Sequence, residues 1–150
     1  MAHGNAADPA RPSPLSRPLV AANVLGSLVS MGSALAGLLD PGIVLAAGSA
    51  VTGGVHLYAA AYAARALPLG AVLIHQVLAG RSGRALVPLL AVAGAVQVGD
   101  AVIGLAAHNP GMVIGAGLLA VLHLGSALRA AGSAGAAAPR PSAAPAGGVR

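Results

Sequence analysis

Four apolar blocks, each about as long as a bilayer is thick, dominate this chain of 150 residues. Crossing a hydrocarbon core of about 30 Å takes roughly 20 helical residues at a rise of 1.5 Å per residue. The blocks that meet this length cover residues 19–39, 54–79, 85–107 and 112–131. We therefore predict an all-α protein, an integral membrane four-helix bundle over residues 19–131, whose immediate partner is the lipid bilayer.

The composition excludes an ordinary soluble domain. Hydrophobic residues make up 57% of the chain and charged residues 7%, whereas roughly a quarter of a soluble domain is charged. The chain has no cysteine, which excludes disulfides, thiolate metal sites and cysteine nucleophiles. Its net charge of +5 comes from arginines scattered between apolar blocks. Nucleic-acid binding needs basic residues clustered on one face and is not expected.

The two ends and one short segment differ from the four blocks. Residues 1–18 are rich in proline and residues 132–150 in alanine, proline, glycine and serine, so both are predicted to be disordered. Residues 43–53 are apolar but too short for a confident span. We favour an interfacial loop there, with a re-entrant piece or an early start of the second helix as alternatives.

The distribution of arginine predicts the orientation in the membrane. With four spans, the first arm, the loop between the second and third helices and the tail share one side. Seven of the eight arginines lie in these parts: Arg11, Arg17, Arg81, Arg84, Arg129, Arg140 and Arg150. The opposite loops, 40–53 and 108–111, contain none. Because cytoplasmic loops accumulate arginine and lysine, we expect a protein of the inner (plasma) membrane with both termini in the cytoplasm.

The first span has a second interpretation. A basic arm, an apolar stretch and the small residues Ala34-Leu35-Ala36 also have the outline of a secretory signal with a cleavage site within residues 1–36. A retained span is favoured because the apolar run continues to Leu39. Cleavage would leave three spans with the same orientation.

Two charged residues lie well inside the predicted spans. Arg65 belongs to the second and Asp100 to the third, and each costs about 2.5–3.5 kcal/mol at the centre of a helix in lipid. Because each charge offsets the burial of the other, we predict an ion pair between them. Helical spacing adds Tyr62 and Gln97 to the same faces. His123 of the fourth span lies at about the depth of Arg65 when residues are counted from the outer end of each span at the same rise per residue.

These five residues form the candidate site. We expect Arg65, Gln97 and Tyr62 to bind a lipophilic or quinone-like small molecule in a cavity, and Asp100 or His123 to move a proton as catalytic residues. No pair of histidine and acidic residues has metal-ligand spacing, so a metal site is not expected. The sequence identifies no cofactor. Asn23 and the serines of the first helix are interpreted as groups that hold helices together.

The stretches AYAARALPLGAVL, VGDAVIG and LAVLHLGSALR, between Tyr58 and Arg129, resemble a group of small bacterial four-helix membrane proteins in the DoxX-like superfamily. Members of this group mostly have no assigned activity. Their pattern is an arginine followed by glycine in the second helix, an acid after glycine in the third and a histidine in the fourth. The matching residues here are Arg65, Gly70, Gly99, Asp100 and His123. The resemblance implies four helices and a site at these positions.

Two hypotheses about function stay open at this point. In the first, the protein binds or acts on a small lipophilic molecule at the cluster of arginine, aspartate and histidine. In the second, it is a non-catalytic membrane component, such as an accessory subunit or a transporter-like homo-oligomer. The pair of Arg65 and Asp100 then fixes the packing of the helices and has no further role.

Overall fold

The computed structural model describes residues 15–45, 48–80 and 85–136, which form helices and short turns. The four α-helices are α1 (Arg17–Leu39), α2 (Gly53–Leu78), α3 (Leu86–Ala106) and α4 (Pro110–Ala136). One turn of 3-10 helix, Pro41–Val44, follows α1. Each α-helix is long and apolar enough to cross a membrane. The predicted all-α, four-helix membrane fold is thereby confirmed.

The helices extend beyond two of the predicted limits. α1 begins at Arg17, inside the predicted arm, because proline is favoured in the first turn and Pro18 stands there. Leu15, just before it, is buried. α4 continues to Ala136, inside the predicted tail, where alanine has the highest helix propensity. The remaining parts of the arm and tail, residues 1–14 and 137–150, lie outside the described residues, as do residues 81–84.

Local sequence signals end the helices. Asp40 follows α1, and its side chain accepts a hydrogen bond of 3.0 Å from the backbone N–H of Gly42. Thr52 caps the start of α2 in the same way, with 3.4 Å to the N–H of Val55. Gly80 ends α2 at a φ of 61°, a left-handed conformation that glycine adopts without strain. Residues 46 and 47 of the predicted interfacial loop lie outside the described residues, and its described residues contain no further helix long enough to span a membrane.

The four helices pack as two hairpins, α1 with α2 and α3 with α4. Small residues allow close approach of the backbones within each hairpin. A Cβ atom on Gly94 of α3 would lie 2.5 Å from Cγ of Leu124 on α4, and one on Gly70 of α2 would lie 2.5 Å from Cγ of Met31 on α1. The pairs α2 with α3 and α1 with α4 approach each other less closely. The hairpins therefore meet mainly through side chains.

The distribution of side chains is the reverse of that in a soluble protein. Large apolar side chains such as Leu25, Val121 and Leu128 lie on the outside. In the part of the chain that the structure describes, the interior contains many small residues and six buried polar ones: Asn23, Ser27, Gln97, Asp100, His123 and Ser126. Larger apolar groups fill the interior near the start of α1, where Leu15, Leu73, Leu86 and Leu90 form a cluster. An apolar exterior of this kind is suited to contact with lipid.

Replacing Gly94 by alanine is expected to destabilise the α3–α4 hairpin, because the new methyl group would collide with Leu124. Overpacking of this kind costs about 1–3 kcal/mol. Gly99 is the matched control on the same helix, since a Cβ there meets no described atom within 4 Å. Unfolding by a denaturing detergent, followed by circular dichroism, measures both variants. Equal stability of Gly94→Ala and Gly99→Ala would contradict the close packing of α3 on α4.

Candidate functional site

Polar side chains from all four helices meet between the two hairpins. We call this set the polar seam; its members are Asn23, Ser27, Ser30, Tyr62, Arg65, Gln97, Asp100, His123 and Ser126. Five side-chain hydrogen bonds of the seam cross from one hairpin to the other. The five candidate residues from the sequence all belong to the seam, but they divide into separate groups.

The first group contains the predicted ion pair. Nη2 of Arg65 donates to Oδ1 of Asp100 over 3.2 Å, and the hydroxyl of Tyr62 donates a long hydrogen bond of 3.5 Å to Oδ2. The guanidinium of Arg65 lies 5.1 Å from the centre of the Tyr62 ring, within the range of a cation–π interaction. The side chain of Asp100 is 6% exposed and that of Arg65 49% exposed. The carboxylate of Asp100 therefore lies inside the bundle, and the side chain of Arg65 runs from the surface to it.

The second group centres on His123, which is 2% exposed. The side-chain nitrogen of Asn23 donates to the carbonyl of Leu19 and to Oγ of Ser126, both over 2.8 Å. The backbone carbonyl of Leu19 only accepts hydrogen bonds, so the atom of Asn23 that contacts it must be the nitrogen of the NH₂ group. The other terminal atom of the Asn23 side chain is then the oxygen. That oxygen lies 2.9 Å from Nδ1 of His123, so Nδ1 carries a proton. In the neutral ring Nε2 is then an acceptor.

The side chain of Gln97 forms a hydrogen bond across the centre of the bundle. Its Nε2 donates to Oγ of Ser30 on α1 over 3.2 Å, although α1 and α3 occupy opposite corners and their backbones do not touch. The hydrogen bond therefore ties the two hairpins together at the middle. It lies between the group of Arg65 and the group of His123.

His123 lies apart from Arg65 and Asp100. Its neighbour Leu124 packs against Gly94, which is six residues before Asp100, so His123 and Asp100 are roughly 9 Å apart along the bundle axis. The sequence placed His123 with Arg65 and Asp100 in one cluster, whereas the hydrogen bond of its ring is to Asn23 of α1. His123 makes no hydrogen bond with Arg65 or Asp100 within the described residues.

A cavity of about 20 Å³ lies between the two groups. Its polar lining comes from Ser27, Ser30, Tyr62, Gln97, Asp100 and His123. The hydroxyl of Ser27 is buried and has no hydrogen-bond partner among the described residues. A water molecule needs about 10–15 Å³ measured in this way, whereas a drug-sized ligand needs about 300–1,000 Å³. The cavity therefore suits one water molecule and is too small for the lipophilic molecule that the sequence placed there.

The site predicted from the sequence does not include four seam residues, Asn23, Ser27, Ser30 and Ser126. Their spacing carries a signal, because Asn23, Ser27 and Ser30 recur on one face of α1 and Ser126 follows His123 by one turn. The interpretation of Asn23 as a group that holds helices together agrees with its hydrogen bonds to His123 and Ser126. Among the described residues, no cluster of three or more histidine or acidic side chains could hold a metal ion.

No protein-family model, curated protein or solved structure matches the chain. The fold and the site therefore define the class of protein. It is a four-span membrane protein in which two helical hairpins meet along a polar seam.

Removing both members of the ion pair is expected to cost less than the sum of the two single removals. Arg65→Ala and Asp100→Ala each leave an ionised group without its partner, and the double variant should recover about 0.5–3 kcal/mol of the summed loss. Detergent-induced unfolding of the four proteins measures this coupling. A parallel cycle with Arg129→Ala and Asp100→Ala is the control, since Arg129 forms no ion pair within the described residues. Additive losses in the first cycle would show that Arg65 and Asp100 do not stabilise each other.

Proposed function

We propose that this protein binds a lipophilic small molecule through an oxygen atom, at the surface of the bundle beside Arg65. The observation that carries the proposal is the half-exposed side chain of Arg65, whose guanidinium has one described hydrogen-bond partner. An arginine side chain has five N–H donors. Its hydrogen bond to Asp100 is the only one that it forms with the described residues. The remaining donors require acceptors, because an unsatisfied polar group in hydrocarbon is costly.

The position of Arg65 along α2 limits what these acceptors can be. It lies 12 residues after Gly53 and 13 before Leu78, the ends of the helix. At 1.5 Å per residue, both ends are about 18–20 Å away, farther than an arginine side chain extends. The backbone of Arg65 is thus far from both ends of α2, and its side chain ends beside Asp100, six residues before the end of α3. A molecule dissolved in the bilayer, with its oxygen at this depth, is within reach.

The rest of the seam supports this binding site from behind. Asp100 and the ring of Tyr62 hold the guanidinium in place. The ligand stays outside the bundle, its apolar part in lipid, because the internal cavity has room for water only. Gln97 and His123 bond to Ser30 and Asn23, so they act on the ligand through the packing of the hairpins. A catalytic role of Asp100 or His123 requires proton transfer to or from this surface site.

A second candidate function is favoured by the hydrogen bonds across the seam. Asp100, Gln97 and His123 all join one hairpin to the other, as expected of groups that only fix the packing of the helices. The half-exposed side chain of Arg65 would then meet an acceptor on a partner subunit or on a second copy of this chain. This is the non-catalytic membrane component, and the binding experiment below separates it from the first candidate.

Family and orientation are parts of the same proposal. The motif residues support membership of the DoxX-like group: Arg65 and Asp100 form the ion pair, His123 lies in the seam and Gly70 packs against Met31. The excess of arginine on one side supports a location in the inner (plasma) membrane with cytoplasmic termini.

Binding is expected to depend on Arg65. We expect Arg65→Gln to weaken the binding of decylubiquinone or palmitate about 10- to 100-fold, because a hydrogen bond to a charged group contributes about 1.5–3 kcal/mol. Titration of the purified protein in a neutral detergent, followed by calorimetry, measures the affinity. Arg129→Gln, the same change at an exposed arginine on α4, is the control. Unchanged affinity in Arg65→Gln, or no binding of either probe to the original protein, would favour the second candidate.

Orientation can be measured with single cysteines, because the chain has none of its own. We expect Ser49→Cys, in the exposed connection after α1, to react with a membrane-impermeant maleimide in cells whose inner membrane is intact. Ser133→Cys, exposed near the end of α4, should react only after that membrane is opened. The two substitutions are chemically identical, so each serves as the control of the other. The reverse labelling pattern would place both termini outside the cytoplasm.

A further inference from the structure

The charges within the spans of the described residues cancel. Arg65 carries one positive charge and Asp100 one negative charge, and they form an ion pair at the middle of the bundle. The other charged side chains described, Arg17, Asp40 and Arg129, lie at or near the ends of helices or in a connection. A net charge at the bilayer centre is costly. An anion that binds to Arg65 would therefore leave one uncompensated negative charge, unless a proton enters with it.

We propose that the site beside Arg65 takes a lipophilic acid as its anion, together with one proton that is bound by Asp100. This inference rests on the proposed function and names its ligand class. The carboxylate of the ligand pairs with Arg65, and Asp100 becomes a neutral acid. When the acid arrives protonated, its O–H bond breaks and an O–H bond forms on Asp100. No electron pair leaves the site and its net charge stays zero.

The geometry of the ion pair makes this exchange feasible. The guanidinium and Asp100 share a single contact of 3.2 Å between Nη2 and Oδ1. A ligand carboxylate at the exposed side can form two parallel hydrogen bonds with the fork of the guanidinium, the strongest arrangement for this pair. Asp100 is buried and cannot follow Arg65 to the surface. Once the ligand holds the guanidinium, the carboxylate of Asp100 loses the charge that balances it.

The surroundings of Asp100 favour it as the proton acceptor. From α2 it faces Arg65 and the hydroxyl of Tyr62. From α4 the titratable group is His123, which lines the same cavity but lies roughly 9 Å away along the axis. α1 contributes the uncharged Ser27 and Ser30 to this cavity, and on α3 itself the nearest polar neighbour is the uncharged Gln97. When the ligand pairs with Arg65, Asp100 is therefore the group that loses its ion-pair partner and binds the proton.

Tyr62 offers the proton a path from the surface. Its hydroxyl donates to Oδ2 of Asp100 over 3.5 Å, and the side chain itself is only half-buried. A hydroxyl can accept a proton on one side while it donates its own on the other. Together with a water molecule in the adjacent cavity, this path needs no opening of the bundle.

The test uses dodecanesulfonate, which is ionised at every pH used and brings no proton of its own. The full chain is titrated in a neutral detergent by calorimetry in buffers with different ionisation heats, and this gives the number of protons taken up. We expect one proton per bound sulfonate. By linkage, the affinity should fall about tenfold for each unit of pH above neutrality. Palmitate, a carboxylate, is titrated in the same way.

Two variants identify the proton acceptor. Asp100→Asn is neutral and close in shape to the protonated acid, and we expect it to bind dodecanesulfonate with no proton uptake and no dependence on pH. Asp40→Asn removes the exposed acid after α1 and should behave like the original protein. Proton uptake that persists in Asp100→Asn would overturn the proposal and point to His123. If Asp100→Asn does not fold, His123→Gln is titrated instead, and loss of the proton uptake in that variant overturns the proposal.

The outcomes separate this inference from the proposed function. Binding of dodecanesulfonate with no proton uptake overturns the inference and leaves the binding site beside Arg65 standing. Binding of decylubiquinone without binding of either anion does the same. No binding of any of the three probes overturns both.

Discussion

A polar group inside a bilayer is stable only where another polar group satisfies it, and this requirement decides how the two hairpins meet. Asn23 shows it most clearly, since its amide holds a backbone carbonyl, the hydroxyl of Ser126 and the ring of His123 at once. Asp100 does the same between Arg65 and Tyr62. Every one of these partners except the carbonyl belongs to the other hairpin. The seam therefore specifies one register between two otherwise apolar surfaces.

The packing within the hairpins follows a different rule. There the backbones approach through glycines such as Gly94 and Gly70, and the contacts are apolar. Apolar helix surfaces of this kind contact lipid as readily as they contact another helix, so close fit of their shapes selects the partner. The wider spacing between the hairpins leaves room for the longer side chains of Tyr62, Arg65 and Gln97. The same spacing leaves the small cavity and the half-exposed side chain of Arg65, so the site exists because the hairpins do not pack closely.

Much of the fold could be predicted because it depends on length and on single residues. Span number followed from the apolar blocks, and the ion pair followed from the presence of one positive and one negative charge inside the spans. The partners of His123 and Gln97 could not be predicted, because they depend on how each helix is rotated and shifted against its neighbours. His123 lies beside Asn23 of α1, a partner that residue counts along the chain do not indicate. The size of the cavity depends on the same packing.

The division into two hairpins also has a consequence for how the chain is made. α1 and α2 precede α3 and α4 in the chain, so Asn23, Ser30 and Arg65 leave the ribosome before their hydrogen-bond partners on the second hairpin. Until the second hairpin is in place, these side chains lack those partners. Only the arrival of the fourth helix completes the set. A truncated chain would display a lone arginine at mid-membrane, a feature by which cells can distinguish unfinished molecules from finished ones.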